Sequence, residues 1–310
     1  MVEVIHRVAF DILTLSYILV GMNIIQVYKQ FPTDESCIAH LEAVRWQGKP
    51  KCPYCNSLRV TKTLKGERYH CNACNTSFSV TVRTIFHKTK IDFQKWFLAI
   101  SLVLNAKKGV SARQLARDIE VNKNTAWLML MRIRKAVREQ GDLLEGIVEA
   151  DETYIGGKNR NKHKDKKTKG GQGRSTKDKT PVFGVLARGG EVRAQKVSDV
   201  SARSLQALIN TNVKKGAHMM TDEWGAYTGL ENKKFKHSKV NHGKGQYVMG
   251  VAHTNTIESF WSLLKRGIIG QYHHVTARYL DAYVDEFCFR YNKRKDECVF
   301  DALVLKAVTI

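Results

Sequence analysis

The spacing of apolar positions changes several times along this chain, and each change marks an element. From Thr33 to Trp46 apolar residues recur three and four apart, the repeat of one helical face, with Thr33 or Asp34 placed to cap the start. The stretches R-V-T-K-T-L, E-R-Y-H-C and F-S-V-T-V then alternate as strands do. Residues 92–139 return to the helical period in three runs, the last two being S-A-R-Q-L-A-R-D-I and N-K-N-T-A-W-L-M-L-M-R-I-R-K-A-V-R. Ser111 caps the second run, and Asn122 or Asn124 the third.

After Gly141 the pattern changes again. I-V-E-A-D predicts a strand ending at Asp151, with Glu149 on the face of Asp151 and Glu152 facing away. P-V-F-G-V-L-A-R and V-R-A-Q-K-V flank R-G-G-E, a hairpin pattern. S-A-R-S-L-Q-A-L-I-N-T-N-V is helical, and A-H-M-M-T-D is a short buried strand ending at Asp222. A helix opening near Asn255 carries Glu258, Trp261 and Lys265 on one stripe. A long amphipathic helix after Thr276 is expected to pack over the sheet. The order is that of a mixed α/β fold, and it resembles a ribonuclease H-like core, in which acids from two strand ends and one helix converge.

Composition narrows the partner more than the fold. The chain has 310 residues, 43% of them hydrophobic, which allows two or three domains and a substantial core. Its net charge of +22 implies a polyanion, most often nucleic acid. The stretch Lys158–Thr180 is dense in Lys and Gly without apolar periodicity, a solvated loop able to act as an arm on a DNA backbone. Val8–Val20 is apolar but broken by Asp11 and too short to span a bilayer, and no secretory signal is evident. Residues 1–21 differ in character from the rest of the chain, and Met22 is an alternative start; the leading segment is expected to reflect upstream initiation or a loosely attached helix.

Four of the seven cysteines, Cys52, Cys55, Cys71 and Cys74, form two C-x-x-C pairs at zinc-ribbon spacing. Four sulfur ligands leave no open position, so this zinc is expected to be structural. Cys37, Cys288 and Cys298 are expected to be free thiols in a reducing compartment. The two helices around residues 111–138 have helix-turn-helix proportions, with Lys123, Asn124 and Thr125 at the front of the second, and Arg113, Arg132 and neighbouring bases forming a cationic face. The alternative is a plain helical linker with a solvated face.

Three separated acids, Asp151, Asp222 and Glu258, would repel one another if brought together unless divalent cations lay between them. Oxygen donors suit Mg²⁺ or Mn²⁺, and two such ions activate the attacking oxygen and stabilise the leaving oxygen in phosphoryl transfer. Lys265 would hold a phosphate nearby, and Arg266 a DNA backbone. N-T-I-E can also be read as a capping box, with Asn255 at the N-cap and Glu258 reaching back to it. Trp224 and Trp261 read as core rather than as base-stacking platforms, and His253 as an ordinary polar loop residue.

A-D-E-T-Y-I-G-G-K, T-D-E-W-G-A-Y and H-T-N-T-I-E-S-F-W-S-L-L-K-R-G, behind the zinc ribbon, resemble a prokaryotic insertion-sequence transposase of the DDE superfamily, in the group related to Merlin elements. The resemblance covers residues 22 to about 295. It implies a ribonuclease H-like catalytic core using Asp151, Asp222 and Glu258, with Lys265 as companion lysine; Asn255 is left as a cap or as a support behind the ligands. The expected division is an extension at 1–31, a zinc ribbon at 32–85, a helix-turn-helix domain at 91–140, a transposase domain at 145–295 containing the basic loop 157–180, and a tail at 296–310. The expected activity is binding of terminal inverted repeats, cleavage to free a 3′-OH and transfer of that hydroxyl to target DNA. A homodimer or larger assembly on double-stranded DNA is expected, cytoplasmic and nucleoid-associated, with no membrane. The alternatives are a DNA-binding regulator with an inactive core, and a metal-dependent structure-specific nuclease or resolvase.

Overall fold

The computed structural model describes residues 22–63, 68–138, 141–157, 163–166, 179–240 and 253–309. The expectations for residues 1–21, and those for most of the basic stretch 157–180, lie outside the described residues.

The N-terminal half gathers helices and a small sheet around one apolar cluster. Helix α1 (Ile24–Gln30) leads to α2 (Asp34–Trp46), where the Thr33 hydroxyl accepts from the Ser36 N–H at 3.3 Å, the cap expected from the sequence. Strands β1 (Val60–Lys62), β2 (Tyr69–Cys71) and β3 (Thr76–Phe78) form an antiparallel sheet in that order. Tyr69 lies between Trp46 and Phe78, with ring centroids at 4.9 and 5.8 Å, so the ribbon is packed against α2 by aromatic rings.

Three helices come next: α3 (Phe93–Asn105), α4 (Ala112–Asp118) and α5 (Lys123–Ala136). The Ser111 Oγ accepts from Gln114 N at 3.2 Å, and the Asn122 Oδ1 from Asn124 N at 2.8 Å. Both caps fall where the spacing of apolar positions predicted them.

The second half is a five-stranded sheet covered on both faces. Its strands are β4 (Ile147–Ile155), β5 (Thr180–Ala187), β6 (Val192–Lys196), β7 (His218–Asp222) and β8 (Lys236–Val240), in spatial order β6-β5-β4-β7-β8. The first three pair antiparallel, whereas β4, β7 and β8 run parallel. Helix α6 (Ala202–Asn212) covers one face, where Val148, Ala150 and Met219 meet Leu205 and Ile209. Helices α7 (Asn255–Gly270) and α8 (Leu280–Asn292) cover the other, where Val182 and Leu186 meet Ile257, Leu264, Val284 and Phe287.

Three elements depart from expectation. The strand expected to end at Asp151 continues to Ile155, because Glu152 to Ile155 still pair antiparallel with β5. The expected tail contains helix α9 (Val299–Val308), whose Phe300 packs edge-on to Phe97 at 5.6 Å and so belongs to the first apolar cluster. Strand β8 has no counterpart among the predicted elements, since K-H-S-K-V carries almost no apolar signal.

The basic face of α5 is not uniformly solvated. Arg134 is 1% exposed, its Nε 2.5 Å from the Glu286 carboxylate on α8, with its guanidinium carbon 3.8 Å from the Tyr283 ring centroid. Arg290 and the Tyr272 hydroxyl also bond to Glu286. A buried pair of this kind is strongly destabilising to break by removing one partner alone, because the other charge is left without compensation. Gly109, at φ +84°, makes room beside it: a Cβ there would lie 1.8 Å from the Tyr272 hydroxyl. This cluster fastens α5 to the helical layer over the large sheet.

Candidate active site

Strand register brings two of the predicted acids side by side. In the parallel pairing of β4 and β7, Ile147 faces His218 and Glu149 faces Met220. Asp151 stands two residues beyond Glu149 and Asp222, the last residue of β7, two beyond Met220, so both acids lie just past the paired positions at the same end of adjacent parallel strands. The Asp222 Oδ1 accepts from the Trp224 N–H at 3.0 Å, which orients the carboxylate at the strand end.

The third acid comes from above the sheet. Trp261 of α7 is buried against β5, and its indole N–H donates to Asp151 Oδ2 at 3.0 Å. That ring fits because Gly184, paired with Asp151 across the β4–β5 ladder, has no side chain: a Cβ there would lie 2.7 Å from the indole ring. Glu258 lies one turn before Trp261 on the same stripe, and its carboxylate accepts from the Thr254 hydroxyl at 2.8 Å.

Electrostatics reports the closeness of the three acids. The Asp151 carboxyl is pushed up to about 7, first by burial and then by the Glu152 carboxylate, with Asp222 and Glu258 adding repulsion against a backbone hydrogen bond that lowers it. Lys265, a turn beyond Trp261, has its ammonium pushed down by partial burial and by Lys179, while Asp151 pulls it up. Asp151, Asp222, Glu258 and Lys265 thus share one neighbourhood. Glu152 faces away, as expected, and accepts from the buried Tyr227 hydroxyl at 2.6 Å.

The capping-box reading of N-T-I-E does not hold. Asn255 is the first residue of α7, Thr254 is the N-cap, and no side-chain cap bond is made there. The helix is capped instead by Glu149, which is fully buried and accepts from the N–H groups of Thr256 and Ile257, both at 2.9 Å. Arg188 donates to the same carboxylate at 2.7 Å, and His253 approaches it at 3.4 Å. Sequence reasoning set Glu149 on the correct face but gave it no task. A carboxylate in a strand buried on both sides, two residues before another, was the available signal.

The zinc ligands converge elsewhere. Cys52, Cys55, Cys71 and Cys74 place their sulfurs within 4.8 Å of one another, with Cys52 to Cys74 at 3.7 Å and Cys55 to Cys71 at 3.5 Å. Zn–S bonds of about 2.3 Å at tetrahedral angles require S···S separations of about 3.8 Å, so the four thiolates fit one zinc ion. Among the described residues no other group of His, Cys, Asp and Glu side chains converges this tightly. The residues expected to touch DNA are dispersed. Arg113, Lys123 and Asn124 are exposed and Thr125 is half-buried. Arg132 is turned onto the carbonyls of Ile85 and His87, at 2.9 and 3.1 Å, and so helps to hold the ribbon side of the molecule. Arg266 is exposed and bonds to Ser262 one turn back.

A mixed α/β sheet bearing this acid cluster, preceded by a four-cysteine ribbon, has counterparts among transposases. Residues 143–292 match the family described as ISXO2-like transposase domain, and residues 32–77 the transposase zinc-ribbon domain. An uncharacterized protein in transposable element ISH50 of Halobacterium salinarum is 30% identical over 249 residues, covering 77% of this chain and 84% of that protein. The chain belongs to the insertion-sequence DDE transposases with an N-terminal zinc ribbon. Among solved structures, the Mos1 transposase paired-end complex with left transposon end aligns at a TM-score of 0.30 and 14% identity, covering 67% of this chain and 74% of that one. A simian T-cell lymphotropic virus intasome aligns at a TM-score of 0.28 and 15% identity, covering 62% and 65%. Likenesses that distant do not decide the fold. No helix among the described residues is long and apolar enough to cross a membrane.

Proposed function

We propose that the protein cleaves DNA at the ends of its own element to free a 3′-OH and transfers that hydroxyl to target DNA, using Asp151, Asp222 and Glu258. What supports this reading is that Asp222, at the end of β7, and Glu258, on α7, both lie near enough to Asp151 on β4 for their charges to help raise its carboxyl. The strand order, with three antiparallel strands extended by two parallel ones, supports a ribonuclease H-like core. The donor set fits Mg²⁺ or Mn²⁺, since carboxylate oxygens are hard ligands and the crowding of negative charge calls for cations. Two divalent ions, when bound, supply activation of the attacking oxygen and stabilisation of the leaving one.

Asp151, Asp222 and Glu258 would together hold these ions. Trp261 fixes the Asp151 carboxylate through its N–H and keeps water off that side of the site. Lys265, whose ammonium feels the Asp151 charge, would hold a phosphate oxygen. The exposed front of α5, Lys123 and Asn124, with Arg113 on α4, supports a helix-turn-helix that reads the element's terminal repeats, with the ribbon as a second contact. Holding two element ends at once calls for a dimer or larger assembly on DNA.

The test is a labelled fragment bearing the flanking element's end, incubated with Mg²⁺ and the protein or its Asp151→Ala variant. Nicking at the end that requires the ion and disappears in the variant is expected, with joining to a second DNA. Cutting without joining would leave a nuclease; binding without cutting in any divalent ion would leave a regulator.

A further inference from the structure

We propose that Glu149 is a positioning residue for the acid site: its buried carboxylate, rooted in β4, caps α7 and sets where Glu258 stands relative to Asp151. This rests on the reading of Asp151 and Glu258 as ligands of the divalent ions.

A helix start leaves N–H groups without partners, and the residue before the helix ordinarily supplies an oxygen to them. Thr254 does not, because its hydroxyl is turned onto the Glu258 carboxylate. The oxygens come from the sheet instead. Glu149 Oε2 takes the N–H groups of Thr256 and Ile257, and its Oε1 takes the Thr256 hydroxyl at 3.0 Å and Arg188 Nε at 2.7 Å. Arg188 also donates to the His253 carbonyl at 2.7 Å, which holds the chain entering the helix. A carboxylate with no exposed surface is costly to bury, and here Arg188 and the positive end of α7 offset its charge.

The second tether is Trp261 to Asp151, so α7 is fastened to β4 at two points with Glu258 between them. The spacings agree. Glu149 and Asp151 are two residues apart on a strand, about 6.6 Å, and the helix rises by about 6–7.5 Å from Ile257 and Thr256 to Trp261. A helix tied in this way along a strand can neither slide nor rotate without breaking a charged hydrogen bond, and Glu258 is held where Asp151 needs it. An apolar residue at 149 could fill the space but could not fix the helix start.

The variant Glu149→Gln keeps the shape and replaces one acceptor with an NH₂ facing donors. Mn²⁺ binding is read on the zinc-loaded protein by electron paramagnetic resonance of the free ion, without DNA, alongside Mn²⁺-dependent nicking of an element end. The expected result is Mn²⁺ affinity weakened about 10–100-fold, as for residues that orient ligands, with nicking partly recovered at high Mn²⁺ and with zinc content and end binding unchanged. A role confined to stability would lower the melting temperature and leave the Mn²⁺ affinity of the folded protein as it was, and that outcome overturns the proposal. Asp151→Ala separates the two readings: if it binds Mn²⁺ and nicks like the parent, the acid site itself is wrong, whatever Glu149 does. Should Glu149→Gln not fold, Thr256→Val removes a single bond to Glu149 at constant shape. A few-fold weakening of Mn²⁺ binding then supports the proposal, and no change refutes it.

Discussion

Free of divalent ions, the protein is expected to lose stability as pH rises toward neutrality, with Asp151 as a principal cause. Its carboxyl is pushed up to about 7 in the folded chain against an ordinary 3.8, because it is buried and feels the negative charges of Glu152, Asp222 and Glu258. Below about pH 3.8 the folded and unfolded chains both hold the proton. Between there and about 7 the unfolded chain releases it while the folded chain keeps it, so folding is weakened by about 1.4 kcal/mol per pH unit. The loss is complete above about pH 7 and amounts to about 4 kcal/mol, a large share of the 5–15 kcal/mol that typically holds a domain together. Urea unfolding of zinc-loaded protein without Mg²⁺, followed by tryptophan fluorescence from pH 5 to 8, measures it against Asp151→Asn, which has no proton to lose. The wild type should fall relative to the variant by about 2 kcal/mol between pH 5 and 7. Mg²⁺ added at pH 8 should restore the wild type and do little for the variant. Parallel curves for the two proteins, or a wild type that gains on the variant as pH rises, would refute the account of Asp151.

The packing leads to two more expected outcomes. Gly184→Ala sets a methyl group against the Trp261 ring and should displace the indole from Asp151, with a cost of about 1–3 kcal/mol in urea unfolding and a fall in element-end nicking; wild-type values for both would show the close approach to be unimportant. Glu286→Gln should destabilise the protein by about 3–5 kcal/mol by leaving Arg134 and Arg290 without their counter-charge, whereas Arg134→Met, Arg290→Met and Glu286→Leu combined should recover most of that loss, both read by urea midpoint.

What could be read from the residues was local. The caps at Thr33, Ser111 and Asn122 depend on a side chain and an N–H two or three positions away, and all three are present. The hairpin around R-G-G-E and the strand ending in Asp222 announce themselves by period and turn residues. Distant partners are what periodicity does not report. Arg134 reads as one more base on a cationic face until Glu286, far along the chain, is folded against it. N-T-I-E also allows a local box, and Glu149 takes its place because a carboxylate anchored in the sheet supplies oxygens to two N–H groups at once. Strand β8 is short and lysine-rich at a sheet edge, where polar residues guard against unwanted pairing and erase the strand signal.

The Arg134–Glu286 pair has a consequence for how such a protein would measure DNA. Because α5 and α8 share a desolvated charge pair, and α7 is tied to β4 through Trp261, under the proposed function the front of α5 and the acid site would act as two jaws of one calliper. Under the proposed function, with α5 in the groove, the number of base pairs between the sequence read and the bond cut would be set by the length of that calliper. Inserting about five base pairs between them, half a turn of the duplex, would carry the scissile phosphate round to the far side of the DNA. The offset between repeat and cleavage site would then be a property of the fold, written in ångströms before any base is recognised.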